Sequence, residues 1–456
     1  MGRKPKSQSF NRNRAKAKKE INDNVKKAKT IPRLRGMRDI LPDEYRYWEQ
    51  VINKAEDLFQ YYGFQKTEIP VLEQMSLYER STGKQTDVVS KEMFSFVDKD
   101  NDRVALRPEA TPGLIRSYIE HGLFSWSLQP IKLLWIGSLF RREKPQAGRH
   151  RQFSQIDLEV IGEQSPVADA QLILLGYKFL EELGLKVQVQ INSIGDPADR
   201  EEYVKKLVEY CRDRKVRSKI SPDDRKRLVK NPLRILDSKD EGTKEALEEA
   251  PQIIDNISDE ARNHFIKVLE YLDEFDVNYT LNSTLVRGLD YYNRTVFEFW
   301  PEGEKETSQS ALGGGGRYDG LVEFMGGRPT PACGFAIGVD RIINKIKENN
   351  PENSGLSKNK KPDIFVAQLG DGAKRKAMAF FEELREKGYK ASQNFIKDSL
   401  KSQLEMANKL GVKVTLIIGQ KELIDDTILI RDMESGMQEV YSFKKVYEEL
   451  DKRLKF

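Results

Sequence analysis

The chain has 456 residues, enough for about two or three domains and at least one sizeable core. Hydrophobic residues make up 38% and charged residues 33%, against usual values of about 45–50% and 25%. No stretch approaches the roughly 18 consecutive apolar residues of a membrane span, and the N-terminus lacks the apolar middle of a signal peptide. Two cysteines (Cys211, Cys333) and three histidines (His121, His150, His264) are too few and too scattered for a disulfide scaffold or a zinc finger. A soluble cytoplasmic protein without a metal site of its own is expected.

The net charge of +5 is unevenly spread. Residues 1–35 carry thirteen Lys or Arg against Glu20 and Asp23, a surplus of eleven, which leaves the remainder at −6. Residues 1–32 form a basic extension, expected to be disordered because it holds so few apolar side chains. It reads either as an electrostatic arm for nucleic acid or as a solubilising tail.

The body begins at Arg35-Gly-Met-Arg-Asp-Ile-Leu-Pro42, followed by an amphipathic helical pattern from Asp43 to about Tyr62. Gly63 ends it, and Phe64–Pro70 alternates like a strand. Strand-like runs over 131–140 and 154–161 flank the basic segment 141–151, which predicts a hairpin with a long loop. A helix is expected over 167–183 and a strand over 186–191. From about 196 to 276 strands vanish and charge density climbs, the mark of a helical insertion. Strand patterns return at 279–281 and 295–300, before the glycine run Gly313–Gly316, expected as flexible backbone. A polar linker over 348–361 precedes alternating strands and helices, a compact α/β domain over 362–456 with a largely parallel sheet.

Several segments carry possible chemistry. Phe140-Arg-Arg-Glu143 leads into Lys144–Arg151 and Phe153: a guanidinium such as Arg141 suits a phosphate, and Phe153 offers a stacking face. In Pro331–Arg341, small residues at Gly334, Ala336 and Gly338 permit close approach, with Arg341 near a helix start. Arg287-Gly-Leu-Asp-Tyr-Tyr292 and Leu106-Arg-Pro-Glu-Ala-Thr111 add possible ligand groups. Each has a plain alternative as surface charge, turn chemistry or tight packing.

Their joint order resembles the three signature motifs of class II aminoacyl-tRNA synthetases. Leu285–Tyr292 and Gly315-Gly-Arg-Tyr-Asp-Gly320 resemble the two histidine-specific motifs of the histidyl-tRNA synthetase family. Asn231-Pro-Leu-Arg-Ile-Leu-Asp237 in the insertion, and Ile418-Gly-Gln420 with Ile430–Gly436 in the last domain, agree with it. The resemblance implies an α+β catalytic domain over 33–347, an antiparallel sheet flanked by helices, interrupted by the insertion and followed by an anticodon-binding domain. It implies a histidine–tRNA ligase that forms histidyl-adenylate from histidine and ATP, releasing pyrophosphate, then loads the 3′ end of tRNA(His), releasing AMP.

By the same resemblance Arg141 and Arg287 are catalytic, placed at the α-phosphate and the substrate carboxylate, and Arg341 meets the γ-phosphate. Glu143, Arg149 and Phe153 hold adenine and phosphates. Glu109, Ala110, Thr111 and Gln155 surround the α-amino group, with Arg141 and Arg287 also among the histidine contacts. Glu159, Tyr291 and Tyr292 meet the imidazole, with Tyr318 nearby. Mg²⁺ accompanies ATP without an identified protein ligand, a homodimer forms around 43–70, and the insertion clamps the acceptor stem. A non-catalytic synthetase-like regulatory subunit of ATP phosphoribosyltransferase is the alternative; in that family the anticodon domain is missing and the histidine motifs are degraded. A synthetase for threonine, proline or glycine, or an RNA-binding scaffold, would not need this paired set.

The two readings of the extension separate by experiment. As an arm for RNA, removal of residues 1–29 leaves adenylate formation intact and weakens tRNA binding most at low salt. Unchanged affinity and salt slope would leave it a tail.

Overall fold

The computed structural model describes residues 31–454 except 84, 85, 87, 144–149, 304–310, 350–360, 397 and 398. Nearly all of the basic extension, and Arg149, therefore lie outside the described residues. Two compact units divide at 354/355.

The first unit is built on one eight-stranded sheet. Its strands are β1 (Gln65–Lys66), β5 (Ile131–Phe140), β6 (Gln152–Ile161), β7 (Val187–Ser193), β8 (Tyr279–Leu281), β9 (Asn293–Pro301), β10 (Gly313–Arg317) and β11 (Ala332–Gly338), in the order β1-β5-β6-β11-β10-β9-β7-β8. The six inner strands pair antiparallel, and each edge strand adds in parallel. A smaller sheet of β2 (Leu72–Gln74), β3 (Ser95–Val97) and β4 (Arg103–Leu106) lies in the same unit. The helices needed below are α1 (Pro42–Tyr61), α2 (Thr111–Glu120), α3 (Pro166–Glu182), α4 (Pro197–Arg212), α5 (Pro222–Lys230), α6 (Asp259–Glu274) and α7 (Val339–Asn349).

Helix α1 starts on Pro42, with Asp43 and Glu44 in the turn that favours negative charge, and buries Trp48, Val51, Ala55 and Phe59. Phe59 meets Phe179 of α3 at 5.2 Å and Phe335 of β11 at 6.3 Å. The back of the sheet is thus packed with aromatic rings. Helix α3, capped by the Ser165 hydroxyl, is apolar on most sides because it lies between the sheet and α6.

One charged group pierces this core. Arg317, fully buried on β10, donates to Asp169 of α3 at 2.6, 3.1 and 3.2 Å, to Asp319 at 3.0 Å and to the carbonyls of Glu163 and Ser165. Asp169 also pairs with His264 of α6 at 3.0 Å. Burial alone raises the Asp169 carboxyl, but Arg317 and His264 outweigh it and hold it below the usual carboxylate range.

Two expectations are corrected in this unit. The strand expected over 64–70 shortens to Gln65–Lys66, with Pro70 outside it. The glycine run is no flexible loop: β10 is a central strand, paired on both sides, whose glycines leave room for side chains lying flat across it. Between β7 and β8 the described elements are all helices, from α4 to α6.

The second unit carries strands β12 (Ile364–Gln368), β13 (Ala391–Gln393), β14 (Val414–Ile418), β15 (Thr427–Asp432) and β16 (Gln438–Ser442), in the order β13-β12-β14-β15-β16. Helices α8 (Asp371–Glu386) and α10 (Val446–Leu454) share one core with Ile364, Val366 and Ile430, and α9 (Leu400–Leu410) packs Ala407 against Phe365 and Ile417 on the opposite face. The sheet is mixed rather than largely parallel: β12 is parallel to β13 and β14, while β14–β15–β16 run antiparallel. A short connection between β15 and β16 permits only the antiparallel pairing.

Asp169→Ala leaves Arg317 buried without its carboxylate. The loss is expected to cost about 3–5 kcal/mol, read as a lower urea midpoint for the first unit; an unchanged midpoint contradicts the role given to the pair.

Candidate active site

The front face of the large sheet gathers the site. Strand alternation puts Gln155, Asp157 and Glu159 of β6 on one side. Pairing aligns Glu159 with Gly334 and, beyond it, Gly316, while Asp157 aligns with Ala336, Gly314 and Glu298. This floor is bare where glycines stand. A side chain at Gly334 would overlap the Glu159 carboxyl, and a Cβ at Gly314 would come 2.9 Å from Arg287 Nη1.

Glu159 is buried and paired on both oxygens, with the Thr111 hydroxyl at 2.7 Å and with the Tyr318 hydroxyl. Glu109, also buried, pairs with the Thr82 hydroxyl and with Tyr291 Oη at 3.2 Å. Tyr291, Tyr292 and Tyr318 close the space as a ring cage, with centroids 4.7 to 6.3 Å apart. Ala110, fully buried, precedes α2 and accepts the helix's first hydrogen bond from Leu114 N at 3.0 Å.

Arginines stand beside this cage. Arg141, at the end of β5, donates through Nε to Pro108 O at 2.9 Å, and its Cζ lies 5.5 Å from the Phe153 ring. Arg287 pairs with Glu298, and its Cζ sits 5.9 Å from the Tyr292 ring. Its buried Nε has no hydrogen-bond partner among the described residues. Arg341, in the first turn of α7, donates to Ala311 O. The carbonyl of Glu143 accepts from Arg151 Nε at 3.3 Å where the β5–β6 loop begins.

The electrostatics follow from burial. Loss of water raises the Glu159 carboxyl to about 8; the bonds from Tyr318 and Thr111 oppose this and the charge of Glu109 adds to it. Burial likewise raises Glu109, against Thr82, Arg141 and Tyr291. Asp157 is pushed well up by burial and then by Glu159 and Glu109, and its Oδ1 has no partner among the described residues. Three buried carboxyls beside cationic arginines suit a ligand with an ammonium group and ring N–H donors at one end and an anion at the other. Histidine and a phosphate ester together have that form.

Residues 36–342 match the family described as Histidyl-tRNA synthetase, and residues 363–453 match the family described as Anticodon binding domain. The chain belongs to the histidyl-tRNA synthetase family. The histidine–tRNA ligase of Desulfotalea psychrophila is 42% identical over 407 residues, covering 89% of this chain and 92% of its own. That of Acetivibrio thermocellus is 39% identical over 419 residues, covering 91% and 98%. The crystal structure of apo S. aureus histidyl-tRNA synthetase superposes with a TM-score of 0.75 at 32% identity, covering 92% of this chain and 99% of that one.

Within this synthetase fold, hydrogen bonds join Glu109 to Tyr291 and Thr111 and Tyr318 to Glu159, ring contacts among Tyr291, Tyr292 and Tyr318 bring the two sets together, and Gln155 stands on the same face of β6 as Glu159. Thr82, Asp157 and Glu298 are further members that the sequence reading does not assign. Alternation along β6 already places Asp157 between Gln155 and Glu159 on their side of the strand. Thr82 carries no such signal, because its approach to Glu109 depends on tertiary packing.

The raised Glu159 group has a sign that can be measured. A carboxyl whose folded pKa lies above its unfolded value stabilises fully below about 4.5, and that contribution is lost as pH rises to about 8. The stability of Glu159→Gln relative to wild type should therefore climb by up to about 1.4 kcal/mol per pH unit between pH 5 and 8 and level off above. A pH-independent difference between the two proteins contradicts the shift.

Proposed function

We propose that this site activates histidine with ATP and passes it to tRNA(His), and that the residues divide the work as follows. Glu109 and Thr111, with Gln155, receive the α-amino group. Glu159, Tyr291, Tyr292 and Tyr318 receive the imidazole, whose donor and acceptor would leave the buried partners unsatisfied if replaced by an apolar side chain. The observation that carries this reading is Glu159, buried and held by Thr111 and Tyr318 inside the tyrosine cage.

In activation, a histidine carboxylate oxygen bonds to the α-phosphorus as the bond to the bridging oxygen breaks, and pyrophosphate leaves. Negative charge grows on the α-phosphate. Arg141 and Arg287 supply fixed positive charge there, the preorganised electrostatics that such transfers depend on. The unmet Nε of Arg287 is a donor that an anionic substrate group would satisfy. Arg341 takes the γ-phosphate, and Glu143, Arg149 and Phe153 hold the nucleotide, with Phe153 stacking on adenine. In transfer, a hydroxyl of the terminal ribose attacks the carbonyl carbon and AMP leaves.

Mg²⁺ fits this scheme as part of the ATP complex. Among the described residues no group of three or more Asp, Glu, His or Cys side chains is arranged to hold a metal ion, and Mg²⁺ commonly relies on substrate phosphates and water. The C-terminal domain reads the anticodon, the helical insertion over 196–276 approaches the acceptor stem, and the protein works as a homodimer. Leu72 and Phe96, both about half exposed on one face of the small sheet, support that last assignment. Among the described residues no helix is long and apolar enough to cross a membrane; a cytoplasmic setting is the natural one for this chemistry. The intact tyrosine cage and the presence of a C-terminal domain weigh against the regulatory-subunit reading.

The test is amino-acid-dependent ATP–pyrophosphate exchange with each of the twenty amino acids and no tRNA. Exchange with histidine alone is expected, and Arg287→Ala should slow it by about a hundredfold or more with the fold intact. Exchange with another amino acid, or a near-normal rate in the variant, overturns the assignment.

A further inference from the structure

We propose that Arg200 and Asn231, both supplied by the helical insertion, are positioning residues that set the histidine pocket by holding the 287–292 segment; the proposal rests on the reading of the pocket given above. Arg200 lies in the first turn of α4. Its Nη1 donates to Tyr292 O at 2.8 Å and to Asp290 O at 3.2 Å. Those carbonyls flank Tyr291, whose hydroxyl reaches Glu109. A cation from the insertion therefore holds the backbone on either side of a cage residue.

Asn231, just after α5, grips the same segment from its side chain. Its Nδ2 donates to Asp290 Oδ1 at 2.7 Å. The other oxygen of Asp290 faces the turn at Gly83, where a Cβ would come within 3.0 Å of it. That turn follows Thr82, the partner of Glu109. Arg234 adds a third approach, for a Cβ at Gly288 would lie 2.9 Å from its Nη1. The start of α4 is anchored as well, since Asp196 accepts from Arg294 at 2.8 and 3.0 Å.

The Asn231–Asp237 motif thus has a use besides helix packing. The segment that carries Arg287, Tyr291 and Tyr292 has no regular secondary structure over 285–292. Its Asp290 and Tyr292 carbonyls accept from Arg200 of the insertion, so the place of Tyr291 follows the place of α4.

Arg200→Ala, Arg200→Lys and Asn231→Ala in the full chain separate this from a structural role, using histidine-dependent pyrophosphate exchange without tRNA. Arg200→Ala and Asn231→Ala are expected to raise KM for histidine by about tenfold. KM for ATP should stay within about twofold, and the melting temperature within about 2 °C of wild type. Arg200→Lys keeps a charged donor and should recover part of the loss. Unchanged KM for histidine, or KM for histidine and ATP rising together with a lowered melting temperature, overturns the proposal. Absence of histidine-dependent exchange in the wild type overturns instead the reading of the pocket on which it stands.

Discussion

Everything in the candidate site answers to one electrostatic constraint: three carboxyl groups, Glu109, Asp157 and Glu159, are buried close together. Three ionised carboxylates cannot share a dry space, because desolvation and mutual repulsion act in the same direction. The protein meets this by letting Glu159 hold a proton up to about pH 8 and by surrounding the group with hydroxyl donors and arginines. The pocket is thereby poised for a cation and for N–H donors. Histidine brings both.

The surrounding fold serves that arrangement. The glycines of β10 and β11 clear the floor so that Arg287 and Glu159 lie against the backbone. Behind the sheet, aromatic packing of α1, α3 and β11 makes the platform rigid, while Arg317 pins β10 to α3 from within the core. Tyr318 directly follows Arg317, so the buried ion pair also fixes the hydroxyl that pairs with Glu159. A rigid scaffold with its polar groups already aimed is what charge-developing chemistry needs.

Much of this was legible in the residues themselves. Period-two alternation placed β5 and β6 and so the shared side of Gln155 and Glu159, and the loss of strand patterns after Asp196 marked the helical insertion. The motif resemblance points to Glu109, Thr111, Glu159, Tyr291, Tyr292 and Tyr318, which the fold brings close together. What local pattern missed has a common cause. The glycine run of β10 has no side-chain periodicity, and its strand character comes wholly from pairing with β9 and β11. The mixed sheet of the second unit depends on which strands become neighbours, and β13 and β16 are too short or too polar to stand out. The Thr82–Glu109 and Arg317–Asp169 contacts span 27 and 148 residues, which no local window contains.

With the imidazole placed at Glu159 as proposed, Glu159 gives up its proton when histidine arrives, because the incoming ring N–H favours the charged carboxylate. Calorimetry of histidine binding at pH 7, repeated in two buffers of different ionisation enthalpy, reads that proton directly. Net proton release is predicted, because the raised Glu159 carboxyl is mostly protonated at pH 7 before histidine binds. Binding with no release, or with uptake, would contradict it.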